Sequence, residues 1–311
     1  MQTKSLNECS CQKNSLRKKK EDCYNLPFFT SKVYTFGSAV LDQTAEHSTD
    51  PVQNLTERSK QYIDTITMSV GGGAINSAKI LQKLNVPAVP VCTIGNDAVG
   101  LQILNLLQKE NFCTCFINIK PINSRQSWII PTRQDTHIIS YATTEHELSS
   151  EDVQKEFPKA SLFFIAPLHT SDPATLQALI AKAQKLHIPV VCIASIQQLK
   201  NPACIELYKQ ATLLICNRKE ALSFTPTINT FGTYFNKTVP FVCVTADKDG
   251  AYLFTPSEQA HLPAIPITVK NSTGAGDVFA ATLTYKLLVE KTDVKEALKE
   301  ALQESAEHIS K

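Results

Sequence analysis

The stretch "NSTGAGDVF", residues 271–279, decides how the rest of the chain is read. Three small or hydroxylated residues precede Gly274-Ala275-Gly276, and Asp277 follows at once in front of an apolar run with helical spacing. The chain has only ten glycines among 311 residues, so placing two of them around one alanine calls for a reason. The first turn of a helix leaves backbone amides without partners inside the helix, and the positive end of the helix dipole lies there. Glycines let an anion approach those amides closely. Asp277 would then stand beside an anion hole, where it can take a proton from an attacking hydroxyl. The same residues also suit a tight strand-to-helix turn in which Asp277 only stabilises the helix N-terminus. Taken alone, the stretch leaves both open.

Outward from this turn, short β-rich runs alternate with helix-period segments from residue 31 onward, the pattern of a mainly parallel sheet covered by helices. "VYTFGSAV" (33–40) reads as the first strand. "AINSAKILQKLN" sets Ile75, Ala78, Leu81 and Leu84 on one helical face, "AVPVCTIG" follows as a strand, and "DAVGLQILNLLQKE" as a helix. "LFFIA", "IPVVCIA", "TLLIC" and "FVCVTA" continue the strands, with "PATLQALIAKAQKL" the clearest helix between them. "AYLF" and "PITVK" read as late strands, and helices over about 275–290 and 293–309 close the chain. Residues about 43–70 and 119–145 break the rhythm. Their alternating runs "YIDTITMSV", "SWIIPT" and "HIISYA" suit antiparallel strands of a small accessory sheet, a lid over the carboxyl end of the main one.

Composition narrows the function classes. Hydrophobic content of 43%, charged content of 19% and a net charge of +2 describe a globular chain, and they give no polybasic surface for nucleic acid. No apolar run approaches the roughly 18–20 residues that span a bilayer, so no membrane partner is expected. Several of the ten cysteines lie inside apolar runs, which suits buried free thiols in a reducing, cytoplasmic setting. The two C-x-C pairs lack the spacing of common zinc sites. Residues 1–30 are polar, carry "RKKK" at 17–20 and have no apolar core for a secretory signal. They are expected to be a disordered basic tail.

Further motifs place the turn in a family. "NSTGAGDVFAATLTY" resembles the carboxyl-terminal signature D-T-x-G-A-G-D of the ribokinase-like, PfkB-type carbohydrate kinases. "GGGAINSAKILQKLNVPAVPVCTIGNDAVG" (71–100) is similar to that family's amino-terminal signature, with a glycine pair, an asparagine, a helix, and then Gly95, Asp97 and Gly100. "FGSAVLD" (36–42) resembles its first strand, which ends in a substrate-binding aspartate, and "CNRKEA" (216–221) its N-x-x-E element. The resemblance covers residues 33 to about 290. It implies an α/β fold, a ribokinase-like three-layer α/β/α domain over 31–311 with a mainly parallel central sheet and a small β-sheet lid.

Carried over residue by residue, it implies Asp277 as catalytic base and the amides of Gly274, Ala275 and Gly276 as the hole that stabilises the phosphoryl group of ATP. Asp42, Gly72, Gly73 and Asn76 would hold the acceptor's hydroxyls. Asn217, Glu220, Thr245 and Gly250 would serve the nucleotide, with magnesium held through water near Glu220 rather than by direct protein ligands. Asn217 and Glu220 also have the spacing of a helix capping box. Asp97 is expected to fix the loop before its helix. Family members often pair through the lid, so a homodimer is one expectation for apolar "SWII" and plain lid core the other.

Departures fall on the nucleotide side. Asn271 replaces an aspartate that helps form a monovalent-cation site in many members, which puts potassium activation in doubt. Asp247 in "VTADKDGA" (244–251) stands where a glycine normally lies beside the phosphates. "CIASIQQLK" lacks the D-x-N-x-R run, and Gln303 is the candidate substitute for an adenine-side asparagine. Two functions of different class follow: an ATP-dependent phosphotransferase acting on a hydroxymethyl group of a sugar or nucleoside, or a non-catalytic or weakly active sugar- or nucleoside-binding protein. For a sugar phosphate, Lys32, Arg125 and Arg133 are the available cations, with surface solvation as their default role.

Overall fold

A computed structural model describes residues 31–46, 63–131, 136–143, 146–268 and 274–310. The expectations for the tail 1–30, for residues 271–273 and for Arg133 lie outside these. Nine strands form the main sheet in the order β13-β12-β11-β10-β9-β8-β1-β4-β5. They are β1 (Lys32–Phe36), β4 (Ala88–Gly95), β5 (Ile117–Lys120), β8 (Ala160–Ile165), β9 (Val190–Ile193), β10 (Leu213–Asn217), β11 (Phe241–Thr245), β12 (Ala251–Phe254) and β13 (Gln259–Leu262). Every pairing is parallel except β11 with β12 and β12 with β13.

Helices cover both faces, which gives the three layers. Val33 of β1 faces a core shared with α1 (Gly73–Lys83), α2 (Ala98–Lys109), α8 (Ala275–Thr284) and α9 (Val294–Ser310). Tyr34 and Phe36 face the other core, shared with α3 (Ala174–Leu186), α4 (Ile196–Leu199), α5 (Pro202–Tyr208), α6 (Arg218–Phe224) and α7 (Ile228–Phe235). This alternation is the period-2 rule for a strand buried on both sides. In α1, Ile75, Ala78 and Leu81 are fully buried, as their spacing requires, while Leu84 packs at the margin.

The small sheet runs β3-β2-β6-β7 from β2 (Val40–Glu46), β3 (Thr65–Gly71), β6 (Gln126–Pro131) and β7 (Thr136–Tyr141). It is mixed rather than antiparallel, because β2 and β6 run parallel. Its register sorts the side chains by face. Asp42 pairs with Ser127, and Ser127 with Ser140, so these polar groups share one face. Met68, Trp128 and Ile139 share the other, and there they are exposed. "SWII" is therefore not ordinary lid core.

Three more expectations need correction. "VYTFGSAV" is not one strand: the chain bends at Gly37 and leaves the main sheet, so Asp42 lies in the middle of β2 in the lid. "PITVK" is not a strand over 266–268, and the edge of the sheet is β13 instead. Finally, the lid begins at Val40, while residues 117–120 form the opposite edge of the main sheet.

Candidate active site

Chain order reverses at β1, which lies between β8 and β4. In open α/β sheets such a switch point leaves a crevice at the carboxyl ends of the strands. The segment after β1 is fastened to the start of α1: Gly73 N–H donates to Ser38 Oγ at 3.3 Å and Ala74 N–H to the Ser38 carbonyl at 3.2 Å. Gly72, at φ 95°, has no room for a side chain, since a Cβ would fall 2.6 Å from the Ser38 carbonyl oxygen. The glycine run thus brings backbone, not side chains, to the crevice wall.

Asn76, one turn into α1, donates through Nδ2 to Asp277 Oδ2 at 2.8 Å, joining residues 201 positions apart. Asp277 stands in the first turn of α8, whose N-cap is Gly274 at φ 81° with no side-chain cap. A Cβ added to Gly276 would meet nothing within 4 Å among the described residues, so there is room for a side chain beside its Cα. Burial pushes the Asp277 carboxyl up, opposed by the Asn76 hydrogen bond and the nearby His308. His308 reaches this turn from α9, its Nε2 lying 3.4 Å from where a Gly274 Cβ would sit.

Asp42 joins the same group through Gly71, whose hypothetical Cβ would lie 2.1 Å from Asp42 Oδ2 and 3.7 Å from Asn76 Oδ1. Burial pushes the Asp42 carboxyl up to about 6, against the pull of the Ser127 hydroxyl and the Lys79 charge. Beside it, a cavity of about 610 Å³ is lined by Ser38, Gly72, Gly73, Ser127, Arg125 and Glu147, among others. The solvated default for two cations is wrong: Arg125 is buried against Glu147, and Lys32 is buried in β1. Sequence reasoning missed Ser38, Ser127, Glu147 and His308. A signal existed only for Ser127, whose alternation along "SRQSWII" sets it opposite Trp128 and Ile130.

The expected nucleotide residues gather at the ends of β10 and β11, where Asn217 and Thr245 are register partners. Asn217 and Glu220 form a complete capping box: Asn217 N–H donates to Glu220 Oε2 at 2.7 Å, and Glu220 N–H to Asn217 Oδ1 at 2.9 Å. Gly250, at φ 86°, needs no ligand to explain it, because a Cβ would fall 2.0 Å from the Leu262 carbonyl oxygen. Asp247 keeps a left-handed backbone at φ 48°, the conformation a glycine would adopt there, with its side chain exposed. Gln303 donates to Glu307 on its own helix at 3.1 Å. Asp97 caps α2, accepting from Gly100 N–H at 2.7 Å and Ser124 N–H at 2.9 Å.

A backbone-walled crevice, a helix start whose N-cap Gly274 carries no side chain, and an inward carboxylate meet at this end of the sheet. The chain belongs to the pfkB family of carbohydrate kinases, whose profile matches residues 31–311. It is 28% identical over 257 residues to the bifunctional protein HldE of Campylobacter curvus, covering 77% of this chain and 53% of that protein, so it spans about half of that relative. It is 23% identical over 275 residues to mouse ribokinase, covering 82% of this chain and 81% of the relative. Among solved structures, phosphofructokinase-2 from Escherichia coli in complex with substrates and products superposes with a TM-score of 0.74 at 17% identity, over 90% of this chain and 93% of that one. The nucleoside kinase of Burkholderia thailandensis in complex with inosine gives 0.67 at 19% identity, over 90% and 92%. At these identities the structures establish the ribokinase-like fold.

Proposed function

We propose that this chain transfers the γ-phosphoryl group of ATP to a hydroxymethyl group of a sugar or nucleoside, with Asp277 as general base. The observation that carries this is the Asn76–Asp277 hydrogen bond at 2.8 Å, which holds the carboxylate inward beside the start of α8. In the reaction, the acceptor O–H gives its proton to Asp277, its oxygen bonds to the γ-phosphorus, and the bond from that phosphorus to the bridging oxygen of ADP breaks. Amides of Gly274, Ala275 and Gly276 take up charge on the transferring group. Asp42, Asn76 and the backbone of Gly72 and Gly73 hold the acceptor. A carboxylate held inward at a helix start favours an active enzyme over a binding protein that has lost catalysis, which would have no use for it.

Among the described residues no three His, Cys, Asp or Glu side chains converge as a metal cage. Magnesium fits as an ion carried mainly by the ATP phosphates and reached by Glu220 through water, since one Glu220 oxygen is already engaged in the cap. Bound there, it would offset phosphate charge. Glu220→Gln keeps an oxygen for the cap, so its unfolding midpoint in urea should match wild type while turnover at limiting magnesium falls about tenfold and recovers as magnesium is raised. Equal turnover at every magnesium concentration would leave Glu220 with capping alone. By contrast, Asn217→Ala should cost about 1 kcal/mol of stability through the lost cap, read from the same urea curves.

The test of the activity is ADP release with magnesium-ATP across a panel of sugars and nucleosides. Clear ligand binding by calorimetry with no phosphorylated product would favour the binding protein instead. The exposed apolar face of the lid, with Met68, Trp128 and Ile139, supports pairing with a second copy, which sedimentation would report. Cys92, Cys192, Cys204, Cys216 and Cys243 are buried free thiols, which supports a reducing compartment such as the cytoplasm, and no helix among the described residues is long and apolar enough to cross a membrane.

A further inference from the structure

The cavity beside Asp42 is lined by an ion pair for which the reaction itself has no use. Arg125, just before β6, and Glu147, after β7, meet because those two strands pair antiparallel, and both side chains are about 93% buried. Glu147 is fixed from its other oxygen, Oε2, which accepts the His169 N–H at 3.2 Å. The Arg125 Nε–H is buried without a hydrogen-bond partner among the described residues. A buried guanidinium needs a counter-charge, and Glu147 supplies it, so the pair presents no net charge but one unused donor.

Resting on the kinase function proposed above, we infer that Glu147 makes this an acceptor pocket for an uncharged polyol, a free sugar or nucleoside, and turns away its phosphate esters. Acceptor hydroxyls can bond to the Ser127 and Ser140 hydroxyls that line the same cavity. A phosphate ester would bring about two further negative charges next to Glu147, in a site whose other acids are Asp42 and Asp277. Arg125 is the only Lys or Arg among the described residues lining the cavity, and its charge is already matched. Like charges that cannot be hydrated repel strongly in such a place.

Matched pairs decide this: a free hexose, pentose or nucleoside against its own monophosphate, each titrated calorimetrically into wild type and Glu147→Gln, with kcat/KM measured alongside. Wild type should favour the uncharged member at least tenfold, and Glu147→Gln should narrow that preference at least tenfold by freeing Arg125 for the phosphate. Should the single variant fail to fold because Arg125 is left unpaired, Ala142→Arg adds an unmatched cation to the cavity wall without disturbing the pair, and it too should narrow the preference. A wild type that binds the ester more tightly, or a preference unchanged in the variant that folds, overturns the inference while leaving the kinase intact. Failure of wild type to bind any member of either class would instead sink the kinase function on which it rests.

Discussion

Asp277→Asn is expected to lower kcat by about 10²–10⁴, the usual worth of a general base, with little change in the acceptor's KM. The asymmetry follows from geometry. Asparagine has the same shape and can still accept the Asn76 hydrogen bond, so the acceptor wall and the start of α8 stay in place. What it lacks is a site for the acceptor's proton. Because burial raises the Asp277 carboxyl, the amide also relieves a cost of placing charge there, and the variant should melt no lower than wild type at pH 8. ADP release and thermal unfolding on the same preparation check both halves. A kcat within threefold of wild type would remove Asp277 from the chemistry.

Asp42→Asn should separate binding from stability in the opposite direction. Losing charge-assisted hydrogen bonds to acceptor hydroxyls is worth about 1.5–3 kcal/mol, so KM should rise about 10- to 100-fold. The folded protein should nevertheless gain stability at neutral pH. The Asp42 carboxyl is pushed from 3.8 up to about 6, so its contribution to folding is fully present below about pH 4 and is lost as pH rises through about 6. A shift of about two units would amount to about 3 kcal/mol, and the partial exposure of the group reduces this to about 1 kcal/mol. Asp42→Asn should therefore be more stable than wild type at pH 8 and equal to it at pH 4, as urea unfolding at the two pH values would show. In wild type Asp42 must be ionised to hold the acceptor, so kcat/KM should fall as pH drops below about 6, and the raised Asp277 carboxyl acts in the same direction. A flat profile from pH 5 to 8 would contradict the role given to Asp42.

The alternation of helix and strand periods, the helix starts at Gly73 and Ala275, and the glycine-rich approaches to them were legible in the sequence, because periodicity, missing Cβ atoms and helix-end chemistry are local properties. Asp277 was legible for the same reason, by its place in the first turn of a helix, and Asn76 only through the family resemblance. That they bond to each other was not, since 201 residues separate them and only the packing of α8 on α1 closes the distance.

Tertiary structure alone decided where Asp42 lies, because the bend at Gly37 that moves it into the lid depends on close contact with Ala166 and the backbone of Ala74. "PITVK" looks like a strand by composition, but β-propensity is set by the neighbours a segment finds, and β13 took the sheet edge. Arg125 reads by default as a solvated charge until the β6–β7 pairing puts it against Glu147 out of water. The sequence by itself determined which residues are able to do chemistry. Burial, which depends on contacts between distant segments, decided which of them are charged, paired and turned toward the crevice.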